Sequence, residues 1–364
     1  MKSSTALSEK SRSDGAAAAP ARDNARVRRS PWTRLRHLLN RARLAKSYFR
    51  GEAYVSGFPA HLKIELTNYC NLACTFCPHD KMQRETGFMK EELFRNIIDQ
   101  STEHVEFVYL HFMGESLAHK KIFDMIHYAK EKGVGTGLST NSSFLDEKRS
   151  RGLLTSDLDF LVISFEGANP TTYETVRRMK NYQKGDYEKT LANIQGFYHL
   201  KTQIPNAIYS TVQVVHTTET HEELEAFQGL WPEGVTIKKM KTWGGQMPEL
   251  TNGNGEPIQQ TPCALPWKEL SILWDGTATL CSNTYDREIV LGDARRQTIR
   301  EIWNGPVLRE IRRRHAAGHV KGIPVCETCP RYAFNPRTFL VKNQLSMRLK
   351  HYSRNGTDPK YGLS

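Results

Sequence analysis

The chain has 364 residues, room for one large domain and a smaller one, and its 51 Lys+Arg against 39 Asp+Glu give a net charge of +12. No run of eighteen apolar residues occurs, which excludes a membrane-spanning helix, and the first thirty residues lack the hydrophobic segment of a signal peptide. Seven cysteines sort into a group of three and a group of four, a pattern that suits metal ligation in a reducing, cytoplasmic compartment better than a disulfide framework.

Residues 1–29 are rich in Ser, Ala and Lys and read as a disordered tail. Residues 26–50 then carry nine Lys or Arg and no acid, so subtracting nine leaves +3 for the rest of the chain. The basicity is local, and no specific nucleic-acid partner is expected. Ser30-Pro31 is a helix start, and Leu35, Leu38, Leu39 and Ala42 follow at helical spacing. Residues 30–55 therefore read as a basic amphipathic helix. Either it docks on the rest of the chain with its charges in water, or residues 30–50 touch an anionic membrane surface or an acidic partner.

A strand is predicted near 62–67, and Cys70, Cys74 and Cys77 follow it on a loop with the spacing C-x3-C-x2-C. Three closely spaced thiolates can wrap one inorganic centre. A zinc loop that takes a distant fourth ligand such as His79 is the bland alternative. With Phe76 before the last cysteine, the loop resembles the signature of radical S-adenosylmethionine (radical SAM) enzymes. The resemblance implies a [4Fe–4S] cluster held by Cys70, Cys74 and Cys77, with one iron open to S-adenosylmethionine. It also implies reductive cleavage to a 5′-deoxyadenosyl radical that abstracts hydrogen from a substrate carbon, with electrons from an external donor such as flavodoxin or ferredoxin.

Further strands are predicted near 105–112, 134–139, 159–165, 207–215 and 235–240, with helices near 90–101, 119–132, 146–154, 170–180, 186–202 and 219–230. This alternation implies a parallel sheet covered by helices. Six units suit the partial (β/α)6 TIM-like barrel of the family, placed over 56–245. The second strand ends in Gly114-Glu115, similar to the core of the family's Gly-Gly-Glu-Pro segment, which implies a carboxylate on the methionine ammonium. Ser139 and Ser164 end the third and fourth strands in segments similar to family ones, and can bond ribose hydroxyls or the cofactor carboxylate. They can also simply finish buried strands. Arg177 lies in a Thr-Tyr-Glu-x-x-Arg segment and can fork onto that carboxylate, although Arg178 competes for the role. His216, at the end of the fifth strand, reads as structural.

Gly244-Gly245 and 252–255 read as a linker into a small α+β domain over 246–345, followed by a tail over 346–364. Cys263, Cys281, Cys326 and Cys329 are separated by 17, 44 and 2 residues, and Asp275-Gly276 marks a hairpin between the first two. The pattern resembles the SPASM/Twitch extension of radical SAM enzymes and implies one auxiliary [4Fe–4S] cluster. Four-thiolate zinc is the alternative. The expected function is radical oxidation of a small polyol, aminocyclitol or sugar-like molecule. Modification of a ribosomally made peptide is the second reading, and a non-catalytic iron–sulfur or zinc protein the third.

Overall fold

The computed structural model describes residues 31–181, 185–231, 234–250 and 262–329. The predicted tails and the segment 252–255 lie outside these residues. Helix α1 (Pro31–Phe49) precedes strand β1 (His61–Ile64), and the short strand β2 (Leu72–Cys74) carries the cysteine loop. The alternation continues with α2 (Glu91–Asp99), β3 (Phe107–Tyr109), α3 (Ile122–Glu131), β4 (Gly135–Thr140), α4 (Glu147–Thr155) and β5 (Phe160–Ser164). Then come α5 (Pro170–Val176), β6 (Arg177–Met179), α6 (Tyr187–Gln203), β7 (Tyr209–His216), α7 (Leu224–Leu230) and β8 (Val235–Lys239). The last part adds β9 (Glu269–Ile272), β10 (Thr277–Thr279), β11 (Val290–Asp293), α8 (Ile299–Trp303) and α9 (Pro306–Ala316).

Strands β1, β3, β4, β5, β7 and β8 pair in parallel in that order, so the six predicted strands form the curved sheet of a partial TIM-like barrel. Alternation sorts the side chains. Leu62, Ile64, Val108, Leu138, Leu161, Ile163, Val212 and Val214 pack outward under the helices. Phe107, Tyr109, Phe160 and Val162 form a separate apolar cluster on the other face, with Tyr209 against it. That cluster plugs the barrel, and Gly137 leaves room for it: a Cβ there would meet the Phe107 ring at 2.6 Å. Helix starts are set by local chemistry. Asp146, Asn169 and Asp186 cap α4, α5 and α6, and Thr298 with Glu301 forms a capping box on α8.

The sheet does not stop at the predicted boundary between 245 and 246. β9 pairs in parallel with β1, and β10 and β11 continue antiparallel from it. The Asp275-Gly276 turn thus extends the barrel sheet past β1.

Two expectations are corrected. The helix predicted over 170–180 ends at Val176, because Arg177–Met179 pairs antiparallel with Leu72–Cys74. Tertiary pairing overrides helical propensity there. In α1 the face toward the barrel is not the predicted leucine face. His37, Asn40, Leu44, Ser47 and Tyr48 are buried, while Leu35, Leu38, Leu39 and Ala42 are exposed. The polar face docks because its groups find partners. Asn40 exchanges bonds of 2.8 and 2.7 Å with the Phe58 backbone, Tyr48 Oη donates to Pro262 O at 2.7 Å, and Arg41 pairs with Glu106.

Candidate functional site

The cysteine loop follows the carboxyl end of β1, the end where barrel sites gather. Its β2 segment is held by β6, with Cys74 opposite Arg177. All seven cysteines are free thiols. Burial pushes the Cys70 thiol up to about 12, and Cys74 beside it adds to the rise. Burial also raises Cys77, with Cys74 and Cys70 as the nearby charges, and raises Cys74 against the opposing pull of Arg177. Three half-buried thiols are thus gathered where their ionised forms repel one another. A cationic inorganic centre would relieve that repulsion. His79, the alternative ligand, has its Nε2 2.7 Å from Asn68 O, which leaves Nδ1 as the nitrogen a metal could take.

Gly114 and Glu115 sit against this loop. Gly114 has φ 79°, and a Cβ would come 2.6 Å from Thr67 O, so only glycine fits. Glu115 N donates to Tyr69 O at 2.7 Å. The buried Glu115 carboxylate accepts from Leu117 N (3.0 Å), Thr140 Oγ1 (2.9 Å) and Asn141 N (2.6 Å). Burial pushes its pKa up while these donors oppose the rise. Ser142, just past Asn141, takes φ 67°.

Ser139 and Ser164 come together, with their hydroxyls 3.4 Å apart across β4 and β5. Arg177 is buried, donates from Nε to Glu166 Oε2, and lies 5.7 Å over the Phe76 ring. Arg178 is exposed and bonds Thr175 O, which leaves Arg177 as the arginine at the loop. Predicted residues Phe76, Gly114, Glu115 and Arg177 therefore surround the three cysteines, with Ser139 and Ser164 on the adjoining strand ends. His216 bonds His221 at 2.8 Å.

The second cysteine set also converges. Burial raises Cys263 to about 12, with Cys281 and Cys329 adding to the rise. Burial raises Cys326 too, with Cys281, Cys263 and Cys329 as neighbours, and Asn283 Nδ2 donates to Cys329 Sγ at 3.4 Å.

Several residues that the sequence reading passed over, or took as linker, join the two sets. Trp243, Gly244 and Gly245 are three successive left-handed residues (φ 52°, 77° and 86°), a packed loop rather than a free linker. The Trp243 indole donates to Phe76 O at 2.9 Å and meets Tyr285 edge-on at 6.0 Å. Gln246 Nε2 donates to Asn283 O at 2.7 Å. Arg84 forks onto Glu65 at 2.6 and 2.5 Å and donates from Nε to Tyr285 O at 2.7 Å. The Trp-Gly-Gly run was the one visible signal, while Arg84 and Glu65 carried none. In the barrel mouth, burial and the nearby Lys238, Lys63 and Lys241 hold His111 down to about 3.

The Radical SAM superfamily matches residues 64–229, and the SPASM iron–sulfur cluster-binding domain matches residues 263–330. Among curated relatives, the tungsten-containing aldehyde ferredoxin oxidoreductase cofactor-modifying protein of Pyrococcus furiosus is 30% identical over 108 residues, 29% of this chain and 30% of that protein. A mycofactocin maturase of Mycolicibacterium smegmatis is 26% identical over 184 residues, 50% of this chain and 44% of that protein. The chain thus spans less than half the length of these relatives. Two solved structures share the fold. BtrN in complex with AdoMet and 2-DOIA has a TM-score of 0.52 at 18% identity, covering 75% of this chain and 93% of that one. Streptococcus suis SuiB bound to precursor peptide SuiA has a TM-score of 0.58 at 14% identity, covering 74% of this chain and 69% of that one.

Proposed function

Because this chain is a radical SAM enzyme with a SPASM cluster-binding domain, we propose that it oxidises a small polyol, aminocyclitol or sugar-like molecule at an unactivated carbon. A radical SAM domain implies a [4Fe–4S] cluster and S-adenosylmethionine, and a SPASM domain implies an auxiliary iron–sulfur cluster. Together the first cluster and S-adenosylmethionine supply one-electron cleavage and hydrogen abstraction. Cys70, Cys74 and Cys77 would hold the first centre. Gly114 would let the backbone approach the cofactor, and Glu115, Ser139, Ser164 and Arg177 would orient it. For Arg177 this role competes with its bond to Glu166. Phe107, Tyr109 and Phe160 close the barrel floor against water.

One observation carries the oxidative reading: Cys263, Cys281, Cys326 and Cys329 converge, and four thiolates would leave an auxiliary cluster no open iron. A saturated centre suits taking up an electron from the substrate better than chelating it. A peptide substrate is the second reading, supported by relatives that include a mycofactocin maturase and PqqA peptide cyclases. The test replaces Cys70, Cys74 and Cys77 by Ala and reconstitutes the protein without oxygen. Production of 5′-deoxyadenosine should cease while about four irons per chain remain. Undiminished production would refute the first site.

A further inference from the structure

We propose that helix α1 (Pro31–Phe49) is an interfacial helix that rests this protein on a bilayer with anionic headgroups. At 3.6 residues per turn, Trp32, Leu35, Leu38, Leu39 and Ala42 fall within a sector of about 120°. They lie opposite the docked face of His37, Asn40, Leu44, Ser47 and Tyr48. Trp32 is 74% exposed, Phe49 63%, Leu38 54%, Leu39 47% and Leu35 43%, so five large apolar side chains on one helix face solvent. A protein that only solvates this face has no use for them.

Charge selects the occupant. Exposed Arg34 borders the stripe on one side and exposed Arg43 on the other, where Arg36 is already paired with Glu103 at 3.2 Å, and Lys46 stands within it. The helix has no acid. An apolar stripe with basic borders is the pattern of helices that lie in the plane of a membrane surface. Lys46 favours lipid over a protein groove. In a groove its ammonium would be buried, whereas at a headgroup layer the long side chain lifts the charge back into water. Among the described residues no helix is long and apolar enough to cross a membrane.

Polar contacts fix where the helix docks. Asn40 grips Phe58 and Arg41 pairs with Glu106, the residue before β3, so α1 lies along the amino-terminal rim of the barrel. The cysteine loop is at the opposite ends of the strands. A bilayer against α1 would leave the candidate site facing water.

The test floats the full chain, clusters loaded, with vesicles of phosphatidylcholine alone or of equal parts phosphatidylcholine and phosphatidylglycerol. The protein should float with the anionic vesicles, not the neutral ones, and less at high salt. Replacing Leu35, Leu38 and Leu39 together by Ser, or Arg34, Arg43 and Lys46 together by Glu, should each weaken partition by about tenfold or more. These side chains are exposed, so thermal stability and S-adenosylmethionine cleavage should be unchanged. Failure to float, or equal flotation of both triple variants and the parent, overturns the proposal. So does a dimer abolished by the leucine changes, or saturable binding to polyglutamate without vesicle binding.

Discussion

Glu115 spends three of its acceptor positions inside the protein, on Leu117 N, Thr140 Oγ1 and Asn141 N. It therefore ties the end of β4 to the turn after β3, whatever it does for a cofactor. Glu115→Ala should lower unfolding stability by about 3 kcal/mol, because buried donors are left unpaired. If it also receives the cofactor ammonium, S-adenosylmethionine affinity should fall by about one to two orders of magnitude. Calorimetric titration separates the two roles: lost stability with equal affinity would mean Glu115 only fastens the strands. His61 makes a second, independent case. Burial first, then Lys268, holds it down to about 3 in the folded chain, whereas unfolded histidine takes a proton near pH 6.5. The unfolded state thus binds more protons below 6.5, so stability is full above that pH and falls toward pH 3. By about pH 5 the share lost through His61 should be about 2 kcal/mol, and His61→Phe should remove that share while His111 keeps its own. Urea titrations at neutral and acid pH measure the difference, and an unchanged acid limb would show that other groups control it.

Helix α1 shows how an element can be read correctly as a helix and wrongly as to its face. Apolar spacing located the helix, but the docked side is chosen by hydrogen-bond partners that only the folded chain supplies. Asn40 is buried and meets both backbone groups of Phe58. Asn40→Leu should therefore cost about 3 kcal/mol despite its similar size, since a donor and an acceptor lose their partners. Chemical denaturation would show it, and a nearly neutral change would mean that water replaces the side chain. The end of α5 teaches the same at the other site. Arg177 was legible as a residue of interest, yet its nearness to Cys74 arises from the β2–β6 pairing, which no local pattern announces.

Across the whole molecule, the C-terminal part is joined to the barrel by sheet and by side chains. β9 extends the β1 edge, and Trp243, Gln246 and Arg84 bridge the two cysteine sets. Cys281→Ala should therefore leave S-adenosylmethionine cleavage in place while the second cluster is lost and oxidised product disappears. Iron analysis, circular dichroism and product assay belong together here, because Cys281 is itself buried. A folded variant without the second cluster that still oxidises at the parent rate would remove the electron-acceptor role. The strand–helix alternation, the two cysteine groups, Gly114-Glu115 and the Asp275-Gly276 hairpin were all decided by sequence alone. Each depends on short-range periodicity, turn geometry or thiol chemistry. The Glu65–Arg84 fork, the face of α1, the strand at 177–179 and the packed Trp243 loop belong to the tertiary structure. Each pairs groups that are distant in sequence, and the cost of burying one partner is met only when folding brings in the other.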